Sequence, residues 1–356
     1  MRPEVEAALA HQKALLRQSK EAEIKPISPW RRILLSSLFY KPLAGVIGAV
    51  IAWYIYEPLY SDEADEITSA AMEYFLIIVH SAVVALAIFA ADGIASRRIF
   101  SNIGRWIAGT GLAVVFTVLG AMVGGVFMLP LPLILAPIQD KTILMDIRQW
   151  PTGVFVTFIV MRTCCWTALG AGLGLGMTIY RGVRSHILAS VLGGAAGGAL
   201  GGVLFDPINR FLLWDTLEGD IMRLTGFSVM GLCVGLFIAI GEQLGREAWV
   251  RVRTGPLAGK SFILYRNPTI IGSSPQSDIY LFKDKDISPS HAAIHRSGGS
   301  YEIEDLESQQ GTFVEYRQVR RYRLASGDQI TIGATALEFE ERAKRKALDQ
   351  VLIQEA

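Results

Sequence analysis

The sequence predicts an α-helical polytopic membrane domain of six transmembrane helices followed by an all-β cytoplasmic β-sandwich. Three observations predict it. Long stretches before Gly245 carry no charge, basic residues recur in every second loop, and beyond Gly245 the pattern changes to short alternating runs. The composition agrees: of 356 residues 51% are hydrophobic and 19% charged, against roughly 25% charged in an ordinary soluble domain. Mean hydropathy is +0.36. Lys and Arg number 34 and Asp and Glu 33, a net charge of +1. That balance argues against a nucleic-acid binder held by phosphate contacts. Three cysteines exclude a disulfide scaffold.

Residues 1–32 are strongly charged, and Val5, Ala8, Leu9, Leu15 and Leu16 make one apolar stripe, predicting a cytoplasmic amphipathic helix. The opening MRPEVEAALAHQK has no apolar h-region and does not read as a cleaved signal. Residues 33–246 are the expected membrane domain. Tyr74–Ala91, Trp106–Gln139, Thr163–Tyr180, Ser185–Phe205 and Leu224–Gly241 contain no Asp, Glu, Lys or Arg. Ile33–Tyr56 contains only Lys41, near one end, where it is expected to snorkel to the interface. A span takes about 20 mostly apolar residues, so helices are expected near 33–56, 72–94, 104–129, 158–180, 186–206 and 222–245.

Orientation follows from the loops. Arg31 and Arg32 precede the first span, Arg97, Arg98 and Arg105 follow the second, Arg181 and Arg184 the fourth, and Arg246, Arg251 and Arg253 the sixth. Glu57 to Glu66, after the first span, holds five acids and no base. The positive-inside rule then puts both termini in the cytoplasm, in a cell membrane crossed six times.

The fifth span carries two glycine rows, Gly193, Gly197, Gly201 and Gly194, Gly198, Gly202. Faces of small residues let helices approach closely. Packing within the chain is the ordinary meaning; homo-oligomerisation or a lined pore are the alternatives. A weak repeat relates the first and third hairpins. Gly45, Gly48 and Tyr56-Glu57-Pro58 recur 149 residues on as Gly194, Gly197 and Phe205-Asp206-Pro207. ALAIFAAD, ending at Asp92, recurs 150 residues on as GLFIAIGE, ending at Glu242. The middle hairpin matches less well, through Gly120, Gly124 and Pro130. Three hairpins around a pseudo-threefold axis are expected. His80 and Arg162, the ionisable residues inside spans, read as structural or interfacial, and Cys164, Cys165 and Cys233 as packing residues.

From Trp249 to Glu341 short runs such as WVRVR, PTIIG, HAAIH and DQITIG are separated by turn signals such as TGPLAG, RSGGS and ASGD. Many short strands at regular spacing mean a sandwich or barrel, here over 247–342. Residues 343–356 predict a closing helix with Ala347, Leu348, Val351 and Leu352 on one stripe.

Within 247–342, Ile271-Gly272-Ser273, Asp278-Ile279, Ser288-Pro289-Ser290-His291, Asp305-Leu306 through Gly311-Thr312, and Leu324, Gly327, Asp328, Ile330, Ile332 and Gly333 stand in a fixed order. In these motifs the segment resembles a forkhead-associated (FHA) domain, a β-sandwich whose apical loops recognise phosphothreonine. The resemblance implies a partner-binding site at Gly272, Ser273, Ser274, Ser288, Ser290, His291, Gln310, Gly311 and Thr312. Ser288 would donate to the phosphate and His291 would brace its loop. Three family residues differ: the arginine after Ile-Gly is Ser273, the arginine after the recognition serine is Pro289, and the ligand-holding asparagine is Gln310. Ser273, Ser274 and Ser290 are expected to add neutral donors, with Arg317, Arg320, Arg321 and Arg323 as candidates to replace the lost charge. The implied partner is a cytoplasmic protein, bound weakly through phosphothreonine or without phosphate.

No nucleophile–base pair, P-loop, metal cluster or dinucleotide fingerprint is present in the sequence; GAGLGLG follows no strand and so fails the dinucleotide condition. An enzyme is not expected, nor a cofactor or nucleic acid. The sequence favours a membrane-anchored signalling scaffold. A channel or transporter regulated by its FHA-like tail is the alternative, and a component of a larger membrane assembly a third.

Overall fold

A computed structural model describes residues 28–59, 66–97, 103–140, 149–179, 184–207 and 219–342, with 10, 14, 143 and 210. The terminal amphipathic helices expected within 1–27 and 343–356 fall outside these residues, apart from 10 and 14. The chain forms two compact units, one of Ser37–Ile94 with Asn102–Gly245, the other of Met1–Ser36, Ala95–Ser101 and Arg246–Ala356.

The described helices are α1 (Pro29–Leu34), α2 (Ser37–Tyr56), α3 (Glu66–Ala95), α4 (Ile103–Val126), α5 (Leu131–Leu135), α6 (Thr152–Thr178), α7 (Arg184–Pro207) and α8 (Gly219–Gly245). All but α1 and α5 are long and apolar enough to cross a membrane. Several boundaries differ from the expected ones: α3 begins at Glu66 rather than 72 and α8 at Gly219 rather than 222, and three further shifts have a local cause. Leu35 and Ser36 part α1 from α2, so the first long helix starts at Ser37 rather than 33. Helix α4 stops at Val126 because Leu129 precedes Pro130, and a residue before proline is pushed out of helical geometry. Helix α6 starts at Thr152 rather than 158, directly after Pro151, whose fixed φ and missing N–H suit a helix start. Outward faces are apolar: Ile47, Ile51, Val115, Met122, Val160 and Leu192 are each more than 45% exposed. Helices apolar on all sides need a core or a lipid-like solvent around them.

Glycine sets the helix spacing. A Cβ on Gly170 would overlap the Gly194 carbonyl and one on Gly194 the Gly170 carbonyl, so α6 and α7 meet backbone to backbone. Gly193 and Gly197 meet Phe237 and Val234 of α8 in the same way, and Gly45 of α2 meets Gly231 of α8. The two glycine rows of α7 therefore face two different neighbours, α8 and α6.

These contacts recur at fixed offsets. Gly48 of α2 meets Val84 of α3, and 149 and 150 residues on Gly197 meets Val234. Gly45 meets Gly231, and the corresponding Gly194 meets Gly170, which makes α6 the counterpart of α8 at an offset of 61. Gly235 against the Lys41 carbonyl and Gly174 against the Ser190 carbonyl repeat the same pair of offsets. The middle hairpin is thus a third copy with its small residue moved. Gly124 packs on Cys165, whereas at the corresponding pair Phe205 packs on Gly226. Pro130 is not the counterpart of Pro58 and Pro207; by these offsets Val126 is.

Lys41 does not snorkel. Its side chain is 2% exposed, ion-pairs Glu242 and lies 3.4 Å from Asp92. Tyr40 Oη donates to Asp92 at 2.7 Å. A buried ammonium is tolerable only with such partners, and these join α2 to α3 and α8. Arg162 pairs with Asp206 at 2.7 Å and lies over the Phe205 ring at 4.4 Å, joining α6 to α7.

In the other unit, two sheets pack face to face, ordered β2-β1-β11-β10-β7-β8 and β4-β3-β5-β6-β9. They comprise β1 (Ala248–Val252), β2 (Ser261–Ile263), β3 (Thr269–Gly272), β4 (Ile279–Tyr280), β5 (Ala292–Ser297), β6 (Ser300–Asp305), β7 (Thr312–Val314), β8 (Arg317–Val319), β9 (Arg321–Leu324), β10 (Gln329–Ile332) and β11 (Thr335–Glu341). Only β3 and β4 pair in parallel among the described ladders. Register sets Val250 opposite Phe339, Ile330 opposite Val314 and Ile294 opposite Ile303, all buried in one core. The alternation read from the sequence is this inward face. Arg31 of α1 donates to the Pro256 carbonyl of this unit.

Replacing Gly194 by Leu should lower the stability of the helical unit by at least about 1–3 kcal/mol, the usual range for overpacking. Leu at Gly125, where a Cβ meets nothing within 4 Å, should be near neutral. Thermal aggregation of both variants in detergent measures the contrast.

Candidate functional site

Three loops converge at one end of the sandwich: 273–278 after β3, 281–291 between β4 and β5, and 306–311 between β6 and β7. Their backbones are tied to one another. Ser273 N–H donates to the Ser288 carbonyl at 3.0 Å and Ser274 N–H to the Pro289 carbonyl at 3.2 Å. Gly272 permits this approach, since a Cβ there would overlap the Pro289 carbonyl.

His291 is the central brace. It is fully buried, its Nδ1 accepts the Ser288 N–H at 3.1 Å, and its Nε2 lies 3.2 Å from the Gly311 carbonyl. Accepting at Nδ1 fixes the neutral tautomer with its proton on Nε2, which donates to Gly311. Burial holds the imidazole pKa below its usual value, while the Gly311 carbonyl, Asp305 and Asp284 pull the other way. Gly311 has φ of +77°, a left-handed conformation that glycine adopts without strain.

Asp305 is a second brace. It accepts from Ser308 Oγ at 2.6 Å, Ser308 N–H at 3.1 Å and Thr312 Oγ1 at 2.7 Å. Thr312 is fully buried; it belongs to the support of the loop rather than to its binding surface. A third brace, Asp284, takes Ala334 N–H at 2.9 Å and Thr335 Oγ1 at 3.0 Å. Sequence reasoning missed Asp284 because the run KDKD reads as solvated charge.

The hydroxyls at the apex divide into engaged and available. Ser273 Oγ donates its only proton inward to the Ile287 carbonyl at 2.7 Å, and Ser274 Oγ donates to Gln276. Two of the three expected neutral donors are therefore engaged inside the domain, Ser273 across to the neighbouring loop and Ser274 within its own. Ser288 differs: its Oγ accepts the Gln309 N–H at 3.3 Å, and its own proton has no acceptor among the described contacts. Ser290 is exposed beside it, and Gln310 is half-buried in the facing loop.

The four arginines do not form one apical cluster. Arg317 stands opposite Val314 at the far end of the β7–β8 hairpin, and Arg321 ion-pairs Glu302 at 2.8 Å while Arg323 stands opposite Glu302 in register. Only Arg320 reaches the apical loops: its carbonyl takes Asp305 N–H at 2.8 Å, and its guanidinium lies 3.8 Å from Glu307. Both of these side chains are 87% exposed, so the pair is worth little.

Comparison with known proteins agrees with this geometry. The family model described as FHA domain matches residues 269–333. An oxoglutarate dehydrogenase inhibitor of Corynebacterium diphtheriae is 41% identical over 90 residues, 25% of this chain and 62% of that protein. The inhibitor of Corynebacterium jeikeium is 39% identical over 98 residues, 28% of this chain and 67% of its own. The glycogen accumulation regulator GarA of Mycolicibacterium smegmatis is 39% identical over 93 residues, covering 26% and 58%. The chain thus spans about three fifths of the first and third of these relatives. A solved structure described as a structural and functional analysis of phosphothreonine-dependent FHA domain interactions matches at 24% identity and TM-score 0.26, covering 28% of this chain and 99% of that one.

The bracing of His291 makes the sandwich pH-sensitive. Its folded pKa lies below the ordinary value near 6.5, so its contribution to stability is complete above about pH 6.5. It is lost as pH falls through the folded pKa, because the unfolded chain takes the proton first. The unfolding midpoint of a 246–342 fragment should therefore fall from pH 7 to pH 5, and His291→Gln should flatten that slope.

Proposed function

The chain belongs, through residues 269–333, to the FHA-domain family, and we propose on that footing that it is a membrane-anchored interaction protein. Its FHA domain, a module that binds phosphothreonine in partner proteins, docks a cytoplasmic partner with little dependence on phosphate. One observation carries this reading. At the apex Ser288 keeps an unengaged hydroxyl proton on a braced loop, while the position after Ile271-Gly272 holds a serine turned inward to Ile287. The support for binding is intact and the cation for phosphate is missing.

The magnitude follows from the missing guanidinium. A hydrogen bond to a charged group is worth about 1.5–3 kcal/mol, a factor of roughly ten to a hundred in affinity. The roles for which these relatives are named, inhibition of oxoglutarate dehydrogenase and regulation of glycogen accumulation, belong to proteins matched over the FHA region. They support a regulatory binding role for the FHA domain here.

Membrane insertion is the second part of the proposal. Six helices with outward apolar faces support it, and the basic loops favour cytoplasmic termini. In intact cells an impermeant maleimide should label Asp62→Cys in the first acidic loop, and should reach Ser326→Cys in the FHA domain only after lysis. The reverse pattern would refute the orientation.

Peptide titration tests the binding role. The natural domain should bind phosphothreonine and matched unphosphorylated peptides within about tenfold of each other. Ser273→Arg should raise the preference for phosphate by roughly ten- to a hundredfold, and Ser288→Ala should weaken what phosphate binding the natural domain has. A strong phosphate preference in the natural domain would overturn the reading of Ser273.

A further inference from the structure

Helix α1 carries its large apolar side chains on one side. Trp30, Ile33 and Leu34 stand at i, i+3 and i+4, a spacing that shares one helix face. They are 74%, 45% and 56% exposed. At 100° per residue Arg32 falls on the opposite face and Arg31 on the flank. The Arg31 guanidinium is engaged with the Pro256 carbonyl of the β1–β2 turn. The contact with the FHA domain therefore uses the flank of α1 and leaves its apolar face clear. The helix is a defined turn: Pro29 opens it, and the N–H groups of Arg31 and Arg32 donate to the Ser28 carbonyl at 3.0 and 3.2 Å.

Chain connectivity limits what can cover that face. Only Leu35 and Ser36 separate α1 from α2, a helix long and apolar enough to cross a membrane. The three steps from Leu34 to Ser37 reach at most about 11 Å when fully extended, and the six residues of α1 are about 9 Å long. The polar layer on each side of a bilayer's hydrocarbon is of the same order, about 5–8 Å. A spanning α2 thus leashes α1 to the headgroup layer. The break at Leu35 and Ser36 matters as well, because an unbroken helix would carry residues 29–34 along the axis of the span into water. Tryptophan is favoured at the boundary between lipid and water, and helices that lie in that boundary pair Trp, Leu or Ile on one side with Arg or Lys on the other. Helix α1 has this arrangement in a single turn and a half.

Resting on the reading of α2 as a membrane span, we propose that α1 is an interfacial lipid anchor. Its Trp30–Ile33–Leu34 face beds into the boundary between headgroups and acyl chains of the leaflet that α2 enters. Arg32, on the far side, stays in water, and Arg31 stays with Pro256. The lipid contact and the FHA contact use different sides of one short helix, so α1 holds both at once. The segment between the FHA domain and the first span is then a seated joint rather than a free tether.

The test uses the full chain in phosphatidylcholine nanodiscs, with Cys164, Cys165 and Cys233 replaced by alanine and one nitroxide label introduced at a time. Trp30→Cys, Arg32→Cys, Ile33→Cys and Leu34→Cys carry the label along α1. Ile47→Cys, on the outward face of α2, and Ser326→Cys, exposed on the FHA domain, are the lipid and water references. Power saturation compares contact with oxygen, which concentrates in lipid, and with a nickel chelate, which stays in water. The oxygen-to-nickel ratio at positions 30, 33 and 34 should be at least about threefold that at 326, while position 32 stays near the water reference. A water-like ratio at 30, 33 and 34, with 47 in lipid, overturns the anchor and leaves the span standing. Low contact with both probes at those three positions does the same, since it marks cover by protein. A water-like ratio at 47 overturns the span and the anchor together. Should the cysteine-free chain fail to fold, the native protein and Trp30→Phe replace it. The emission that Trp30→Phe lacks should be quenched by lipid brominated high on its acyl chains, and an unquenched component overturns the anchor.

Discussion

Backbone-to-backbone approach at glycine is the constraint on which the helical unit depends. In a lipid-like surrounding apolar side chains gain little by meeting each other, because the solvent is as apolar as they are. Close contact must then come from surfaces that fit. The rows of α7 supply two such surfaces, one against α6 and one against α8, and Gly45 with Gly231 carries the contact on to α2. The two ion pairs, Lys41 with Glu242, which is buried, and Arg162 with Asp206, which is partly buried, join neighbours that glycine has already brought together. They fix the helices against sliding more than they attract them.

The β unit follows a different logic, in which polar groups inside loops do the holding. His291 and Asp284 bind groups of a second segment and Asp305 closes its own loop, so the apical loops are braced before any ligand arrives. Rigid support lowers the ordering cost of binding irrespective of what is bound. This separates the two roles within the family pattern. Motif residues that brace are present in this chain, as is Ser288, while the two family arginines and the ligand-holding asparagine are replaced by Ser273, Pro289 and Gln310.

Much of this was legible in the sequence because it rests on periodicity and on ordered motifs. Absence of charge over span-length stretches located the long helices, and the spaced motifs from Ile271 to Gly333 identified the sandwich. Other features depended on partners distant in the chain. Lys41 looked like an interfacial lysine because its acids lie 51 and 201 residues away. The middle hairpin hid its kinship because the small residue of one contact pair had changed helices, from Phe205–Gly226 to Gly124–Cys165. Ser273 and Ser274 resembled free donors, since sequence gives a hydroxyl's position and not the direction of its proton. The four arginines between 317 and 323 looked like a cluster, but strand alternation and the turn at Arg320 disperse them.

The inward hydroxyl of Ser273 has a consequence for what the domain can report. A receptor signals phosphorylation only to the extent that its affinities for the two forms of a partner differ; a ligand bound equally in both states shifts nothing. On the proposed reading that ratio is small, so occupancy would follow how much partner is present and hardly register the kinase that modifies it. Such a domain works as a clamp with a narrow dynamic range, and its input is abundance.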